Sequence, residues 1–182
     1  QVLSPYNNKG NLSAYALNMA IRDRVNPLER GKIVLKRDKD SFRDNDRVII
    51  LQNDRERNCS NGDVGILHIL KVEGKQVTYC VELPDGRCPT WDDASGLAQL
   101  SLAYCLTVHK SQGSEYDTIL LPIAKGMDGM LSRNLLYTAI SRAKKRVILS
   151  GDSQALDVAV QKNLPQRKSL LVPKTRMLLE CA

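Results

Sequence analysis

The chain has 182 residues, of which 42% are hydrophobic and 26% charged, with 27 Lys and Arg against 20 Asp and Glu, a net charge of +7. That length buries the core of one domain, or of one domain carrying a small insert, and no apolar run approaches the roughly 18 residues that would make it a helical membrane protein. The positive balance favours a polyanionic partner, without saying which nucleic acid.

Gln1 to Ser4 is a short apolar run closed by Pro5, a strand feeding a loop. Asn7, Asn8, Lys9 and Gly10 form a polar turn. Ser13 is placed to cap a helix, and Ala14, Leu17, Ile21 and Val25, at three- and four-residue steps, define its predicted buried face. Asn26-Pro27 ends it. Eleven of the nineteen residues from Leu28 to Asp46 are charged, nearly balanced in sign, as in an exposed connection. Ile33 and Leu35, alternating with Lys32, Val34 and Lys36, predict a short edge strand.

An insert is expected over 42–96. From Arg47 the apolar period changes to two. Val48-Ile49-Ile50-Leu51 is a buried strand; Asn61-Gly62 turns the chain; Val64 to Leu70 is the next strand, with Gly65 at an expected bulge. After a turn at Gly74-Lys75, Val77, Tyr79, Val81 and Leu83 lie on one face and Thr78, Cys80 and Glu82 on the other. Asp85-Gly86 turns again. Short strands at about ten-residue spacing indicate a small antiparallel barrel. Trp91, the single tryptophan, stands beside Asp92 and Asp93, a poor field for phosphates, and is expected in the barrel core. Arg55 and Arg57, in the loop before Asn61, are the better candidates for contacting DNA.

Gly96 to Leu106 is expected to return to the main domain. Thr107-Val108-His109-Lys110-Ser111-Gln112-Gly113-Ser114-Glu115 then joins two apolar runs, the second being Ile119-Leu120-Leu121. A polar loop between buried strands is where an α/β protein places its ligand. Its hydroxyl, amide, imidazole and ammonium groups suit phosphate and sugar oxygens. Gly113 suits a sharp turn or a close backbone approach, and Glu115, acceptor-only when ionised, suits a sugar hydroxyl. Ala124 to Leu131 reads as a mobile loop. Ser132 caps a predicted helix Arg133 to Ile140, with Leu136 and Ile140 on one face and Arg133 and Tyr137 on another. Arg142 follows; its planar, permanently charged guanidinium can bond two phosphate oxygens at once. Val147-Ile148-Leu149 is the last strong strand. Asp152 or Ser153 caps a helix to Lys162 with Leu156 and Val160 inward. Leu170, Leu171, Leu178 and Leu179 indicate a tail that packs elsewhere.

The five cysteines, Cys59, Cys80, Cys88, Cys105 and Cys181, include no C-x-x-C pair. His68 and His109 do not complete a tightly spaced zinc site, so no metal site is expected, and reduced thiols in a cytoplasmic protein are. Cys80 and Cys88 flank a predicted hairpin, where a disulfide has room but no sequence support. No basic-then-apolar leader opens the chain, so no secretory signal is expected. It starts at Gln1 inside a strand-like segment and reads as a piece of a longer protein.

Three stretches resemble helicase motifs. Thr107 to Glu115 is similar to motif V of the RecD-like branch of superfamily 1. Leu135-Leu136-Tyr137-Thr138-Ala139-Ile140-Ser141-Arg142-Ala143 is similar to motif VI. Val2-Leu3-Ser4-Pro5, with Lys9-Gly10 and Leu17-Asn18, resembles motif IV. The resemblance spans the chain to about Asp152. It implies an α/β fold, a RecA-like parallel sheet with flanking helices (1–41 and 97–182) interrupted by a Src-homology-3-like barrel. It further implies the C-terminal motor part of an ATP-dependent, 5′-to-3′ DNA helicase of the exodeoxyribonuclease V alpha kind. Arg142 would then be the arginine finger on the γ-phosphate. Lys9, Gly113 and Glu115 would also bind ATP, with Glu115 at the ribose. Thr107, His109 and Lys110 would face single-stranded DNA. A non-enzymatic nucleic-acid-binding module and the helicase part of a conjugative relaxase share these features.

A motor of this class also needs a G-x-x-x-x-G-K-[S/T] phosphate loop and an acidic strand end for Mg²⁺. Gly31-Lys32 lacks the earlier glycine and the following hydroxyl; Asp92-Asp93 follows no apolar strand. Those parts, and the Mg²⁺ ligands, are expected in a preceding motor domain of the same protein. Helicase–nuclease subunits are possible partners; a membrane is not.

Overall fold

The computed structural model describes residues 1–37, 40–74, 76–127 and 129–162; Cys181 and the leucines of the expected tail lie outside them. Two sheets organise the chain. The first has four parallel strands in the order β11-β10-β1-β9: β1 (Val2–Ser4), β9 (Cys105–Thr107), β10 (Tyr116–Ile123) and β11 (Ala143–Gly151). β1 is central, pairing Ser4 with Thr107 on one side and Val2 with Leu120 on the other. Helices α1 (Ala14–Val25), α2 (Arg133–Ile140) and α3 (Ser153–Gln161) flank it. Leu3, Leu106, Ile119, Leu121, Leu136 and Ala139 centre its core.

Each helix starts where a side-chain oxygen meets orphan backbone amides. Ser13 accepts from Ala16 N, Ser132 from Leu135 N, and Asp152 from Gln154 N and Ala155 N. The predicted faces are only partly right. α1 buries Ala14, Asn18 and Arg22, leaving Val25 63% exposed. α2 buries Leu135, Leu136 and Ala139 but exposes Ile140, and α3 buries Ala155 and Ala159 but exposes Val160.

The second sheet is antiparallel, β7-β6-β5-β4-β8, from β4 (Arg47–Ile50), β5 (Val64–Glu73), β6 (Gln76–Glu82), β7 (Thr90–Trp91) and β8 (Leu100–Leu102). A hairpin of β2 (Val34–Arg37) and β3 (Asp40–Arg43) packs against it. Sheet and hairpin share one core, in which Val77, Tyr79, Val81 and Leu83 all point inward, as their alternation predicts. Trp91, 2% exposed, stacks on Tyr79 with ring centroids 5.6 Å apart. Leu35 and Phe42 enter this core from the hairpin, and Leu100 and Leu102 from β8, which pairs with β4. The segment after Gly96 therefore stays with the antiparallel sheet until Leu102, and only Cys105 enters the parallel one.

Gly65 is not at a bulge. The register shift falls between Ile69 and Lys71, and Gly65 serves close strand approach: a Cβ there would lie 2.3 Å from the Glu82 carbonyl oxygen. Cys80 and Cys88 are free thiols, with Sγ atoms 2.8 Å apart.

The two units are joined through a buried polar hub. The carboxylate of Asp46, fully buried, accepts from Asn26 Nδ2 (2.7 Å), Tyr104 Oη (3.0 Å) and the Arg43 amide (2.8 Å), with Arg22 Nη1 3.8 Å away. Arg22 also donates to the Ser41 carbonyl at 2.7 Å. Helix α1 thus grips both the hairpin and the start of β4. A buried charge is tolerated only when so surrounded.

Candidate nucleotide and nucleic-acid faces

The parallel sheet has two rims, and the loop from Val108 to Glu115 connects them. It leaves the C-terminal end of β9, folds through tight turns and enters the N-terminal end of β10. Ser111, fully buried, donates from Oγ to the Val108 carbonyl at 2.8 Å and from its amide to Thr107 O at 3.1 Å. Ser114 N continues to Ser111 O at 3.1 Å. These bonds push His109, Lys110, Gln112 and Gly113 to the surface. Gly113 has φ 85°, in the left-handed region that glycine adopts without steric cost.

At the N-terminal rim Arg142 lies against the end of this loop. Its carbonyl accepts from Tyr116 N at 2.8 Å, tying it to the start of β10. Its guanidinium donates to Thr138 O (3.3 Å), Ser114 O (3.4 Å) and Ser141 Oγ (3.2 Å). All are neutral acceptors, and among the described residues none of its contacts is to a carboxylate. The positive charge is held in place but not neutralised, the condition for receiving a phosphate. Glu115, one residue beyond Ser114, is exposed, with Lys144 Nζ 3.3 Å from its carboxylate. An exposed ion pair of this kind is worth little and gives way readily to another partner. Arg142 is thus joined through Ser114 to the residue before Glu115, whereas Gly113 lines a pocket with His109, Lys110 and Gln112.

Lys9 is elsewhere. It follows β1 at the C-terminal rim, its ammonium 5.8 Å over the Tyr6 ring, and Tyr6 Oη reaches Met127 O, beyond the far end of β10. Lys9 and Arg142 are separated by about the length of β10, whose eight residues span roughly 23 Å. Sequence spacing orders the motifs but does not say on which rim each lies.

Thr107, His109 and Lys110 gather at the C-terminal rim. Thr107 is buried and its Oγ1 accepts from Lys110 N at 3.2 Å, while His109 and Lys110 are exposed. Thr107 and Lys110 also line a pocket of about 200 Å³ with Asn7, Asn8 and Tyr15. The two barrel arginines differ. Arg55 is exposed. Arg57 is committed to the barrel: Nη1 bonds Asp54 at 2.5 Å, Nε donates to Thr90 O at 2.9 Å, and the guanidinium lies 5.8 Å from the Trp91 ring centre. Its hydrogen bonds to Asp54, from backbone and then side chain, hold that carboxyl below its ordinary range. Among the described residues no three His, Cys, Asp or Glu side chains are grouped to hold a metal ion, and no helix is long and apolar enough to cross a membrane.

Fold and motifs together define a RecA-like domain of the superfamily 1 helicase type with an inserted Src-homology-3-like barrel. Residues 102–150 match the UvrD-like helicase C-terminal domain, and residues 17–82 the SH3 domain of ATP-dependent RecD-like DNA helicases. The chain is 35% identical over 176 residues to the ATP-dependent RecD2 DNA helicase of Deinococcus radiodurans, covering 97% of this chain and 23% of that protein. It is 31% identical over 116 residues to the RecBCD enzyme subunit RecD of Buchnera aphidicola subsp. Acyrthosiphon pisum, covering 64% and 19%. The fold is similar to Pif1 helicase at forked DNA (TM-score 0.59, 18% identity, all of this chain and 44% of that one). It is also similar to Bacteroides Pif1 with ADP-AlF3 and single-stranded DNA (TM-score 0.55, 16% identity, all of this chain and 46% of that one). The chain is thus similar to RecD-like helicases over the part that carries the parallel sheet and the barrel. It spans about a fifth to a quarter of the length of these curated relatives.

Proposed function

We propose that this chain is the C-terminal motor part of an ATP-dependent DNA helicase moving 5′ to 3′, and that the two rims of its parallel sheet divide the work. The observation that carries this reading is the contact of Arg142 Nη1 with Ser114 O at 3.4 Å, beside Glu115. It joins the last motif to the central loop on one face. When ATP is held by the preceding motor domain with its Mg²⁺, Arg142 exchanges its neutral acceptors for γ-phosphate oxygens and offsets the charge that develops as the phosphoryl group leaves. Such a finger is worth about 10³–10⁵ in rate. Glu115 accepts from a ribose hydroxyl, and the exposed backbone at Gly113 lets the nucleotide approach.

The C-terminal rim takes single-stranded DNA. Lys110 and His109 face the phosphates, and Thr107 anchors the turn that presents them. Lys9, on this rim, belongs with them rather than with the nucleotide, which revises the role its motif implies. Arg55 extends the positive surface onto the barrel, assigned here to 34–102; Arg57 keeps its structural partners. RecD relatives that are RecBCD subunits make a helicase–nuclease assembly the class of protein partner to seek.

In the full-length protein, Arg142→Ala is expected to lower DNA-stimulated ATP hydrolysis by about 10³ or more, while single-stranded DNA affinity by fluorescence anisotropy stays near the parent value. Turnover that survives the substitution would overturn the finger role.

A further inference from the structure

We propose that the pocket between the loop after β1, the first turn of α1 and the β2–β3 hairpin is a slot for one unpaired base of single-stranded DNA, with Tyr15 as its stacking face. This rests on the C-terminal rim being the DNA side. At about 200 Å³ the pocket is smaller than those enclosing drug-sized molecules and suits a single planar ring system.

Its walls are built in advance. Tyr15 N donates to Asn7 O at 2.9 Å and Ala14 N to Tyr6 O at 2.8 Å, which fixes the first turn of α1 against the loop carrying Asn7 and Asn8. The Tyr15 side of the pocket is open, the residue being 48% exposed. Across from it, Ser41 and Phe42 are held by the Arg22 bond to Ser41 O. The floor is apolar, from Leu102, Leu106 and the buried Phe42.

Polar groups divide into used and unused. Asn18 spends its amide on Cys105, donating to O and accepting from N, both at 2.8 Å, and so is wall rather than reader. Among the described residues the side-chain amides of Asn7 and Asn8 bond nothing within the chain, and Asp40, exposed and also lining the pocket, can accept from an exocyclic amino group. An aromatic face, an apolar floor, a few amides and an adjacent lysine, Lys110, are what a splayed-out base requires. A phosphate alone would need neither ring nor floor.

The test uses the full-length protein and a short single-stranded oligonucleotide carrying one abasic nucleotide at each position in turn. The expected result is a loss of affinity of about ten- to hundred-fold at one position for the parent protein. Tyr15→Ala is expected to show a similar loss on the intact strand and no further loss at that position, while Tyr15→Phe keeps parent affinity. A flat abasic profile with unchanged Tyr15→Ala binding overturns the slot while leaving the rim standing if Lys110→Ala still weakens binding. If Lys110→Ala is also without effect, the DNA side is wrong, and the slot falls with it. Near-ultraviolet circular dichroism of Tyr15→Ala separates lost stacking from lost fold; Tyr15→Leu, which keeps bulk without the π face, must bind like Tyr15→Ala, or the slot is overturned.

Discussion

A guanidinium serves a phosphate best when no carboxylate already holds it. Among the described residues Arg142 meets carbonyl and hydroxyl oxygens at 3.2–3.4 Å and no carboxylate, whereas Arg57 is taken by Asp54 at 2.5 Å. The two guanidinium groups are therefore held by different kinds of partner. Residue-scale packing is as demanding at Gly96, where an added Cβ would lie 2.2 Å from Trp91 Cδ1 and 2.6 Å from Tyr79 Oη. Gly96→Ala is expected to destabilise the barrel by about 1–3 kcal/mol, read as a lower urea midpoint followed by Trp91 fluorescence. Alkali probes another buried position. Burial pushes the Cys105 thiol up from 9.0 to about 12. A group raised on folding contributes its stability below the unfolded value, so this share is intact at pH 8 and is lost as pH climbs from about 9 towards 12. Cys105→Ala is expected to flatten the fall of thermal stability across that window.

Among the elements, strands and caps were legible in the sequence. Alternation at Val77, Tyr79 and Val81 named the core face of β6, with Leu83 just beyond it, and Ser13, Ser132 and the pair Asp152 or Ser153 marked three helix starts, the last resolved to Asp152. The face of α1 was not. Apolar periodicity pointed to Ala14, Leu17, Ile21 and Val25, yet of these only Ala14 joins the buried stripe, which continues through Asn18 and Arg22. This helix satisfies polar groups more than it covers apolar ones: Asn18 bonds both backbone groups of Cys105, and Arg22 reaches Ser41. A hydrophobicity pattern registers where apolar atoms repeat and is blind to hydrogen-bond demand. For the same reason the rim occupied by Lys9 and the pairing of β8 with β4 were hidden, since both depend on strand order and not on local composition. Asn18→Ala strands an N–H and a C=O at the edge of the parallel sheet and is expected to cost about 1–3 kcal/mol. Asp46→Ala, which leaves the buried Arg22 guanidinium without its carboxylate and the Arg43 amide, Asn26 and Tyr104 without their acceptor, is expected to cost about 3–5 kcal/mol. Urea titration with far-ultraviolet circular dichroism checks both.

At the scale of the whole molecule, the described residues form two hydrophobic cores with a polar hub between them. The sequence holds no phosphate loop of the G-x-x-x-x-G-K-[S/T] form, so this 182-residue chain by itself is expected to release no phosphate from ATP at a useful rate, with or without DNA. Turnover comparable to an intact helicase in a phosphate-release assay would refute that. DNA binding by the chain, in contrast, is expected to weaken steeply between 50 and 200 mM salt, as contacts from cations such as Lys9 and Lys110 to phosphates release counterions.

The rims stand at opposite ends of β10, which is bonded to β1 on one side and to β11 on the other. A strand so laced cannot lengthen under load without tearing a ladder. On the proposed reading, a push delivered at Arg142 therefore emerges near Lys110 undiminished and without internal give, as the swing of a stiff plate. The stride along the nucleic acid is then fixed by the angle through which that plate turns, and softening the surface loops would change its grip without changing its gait.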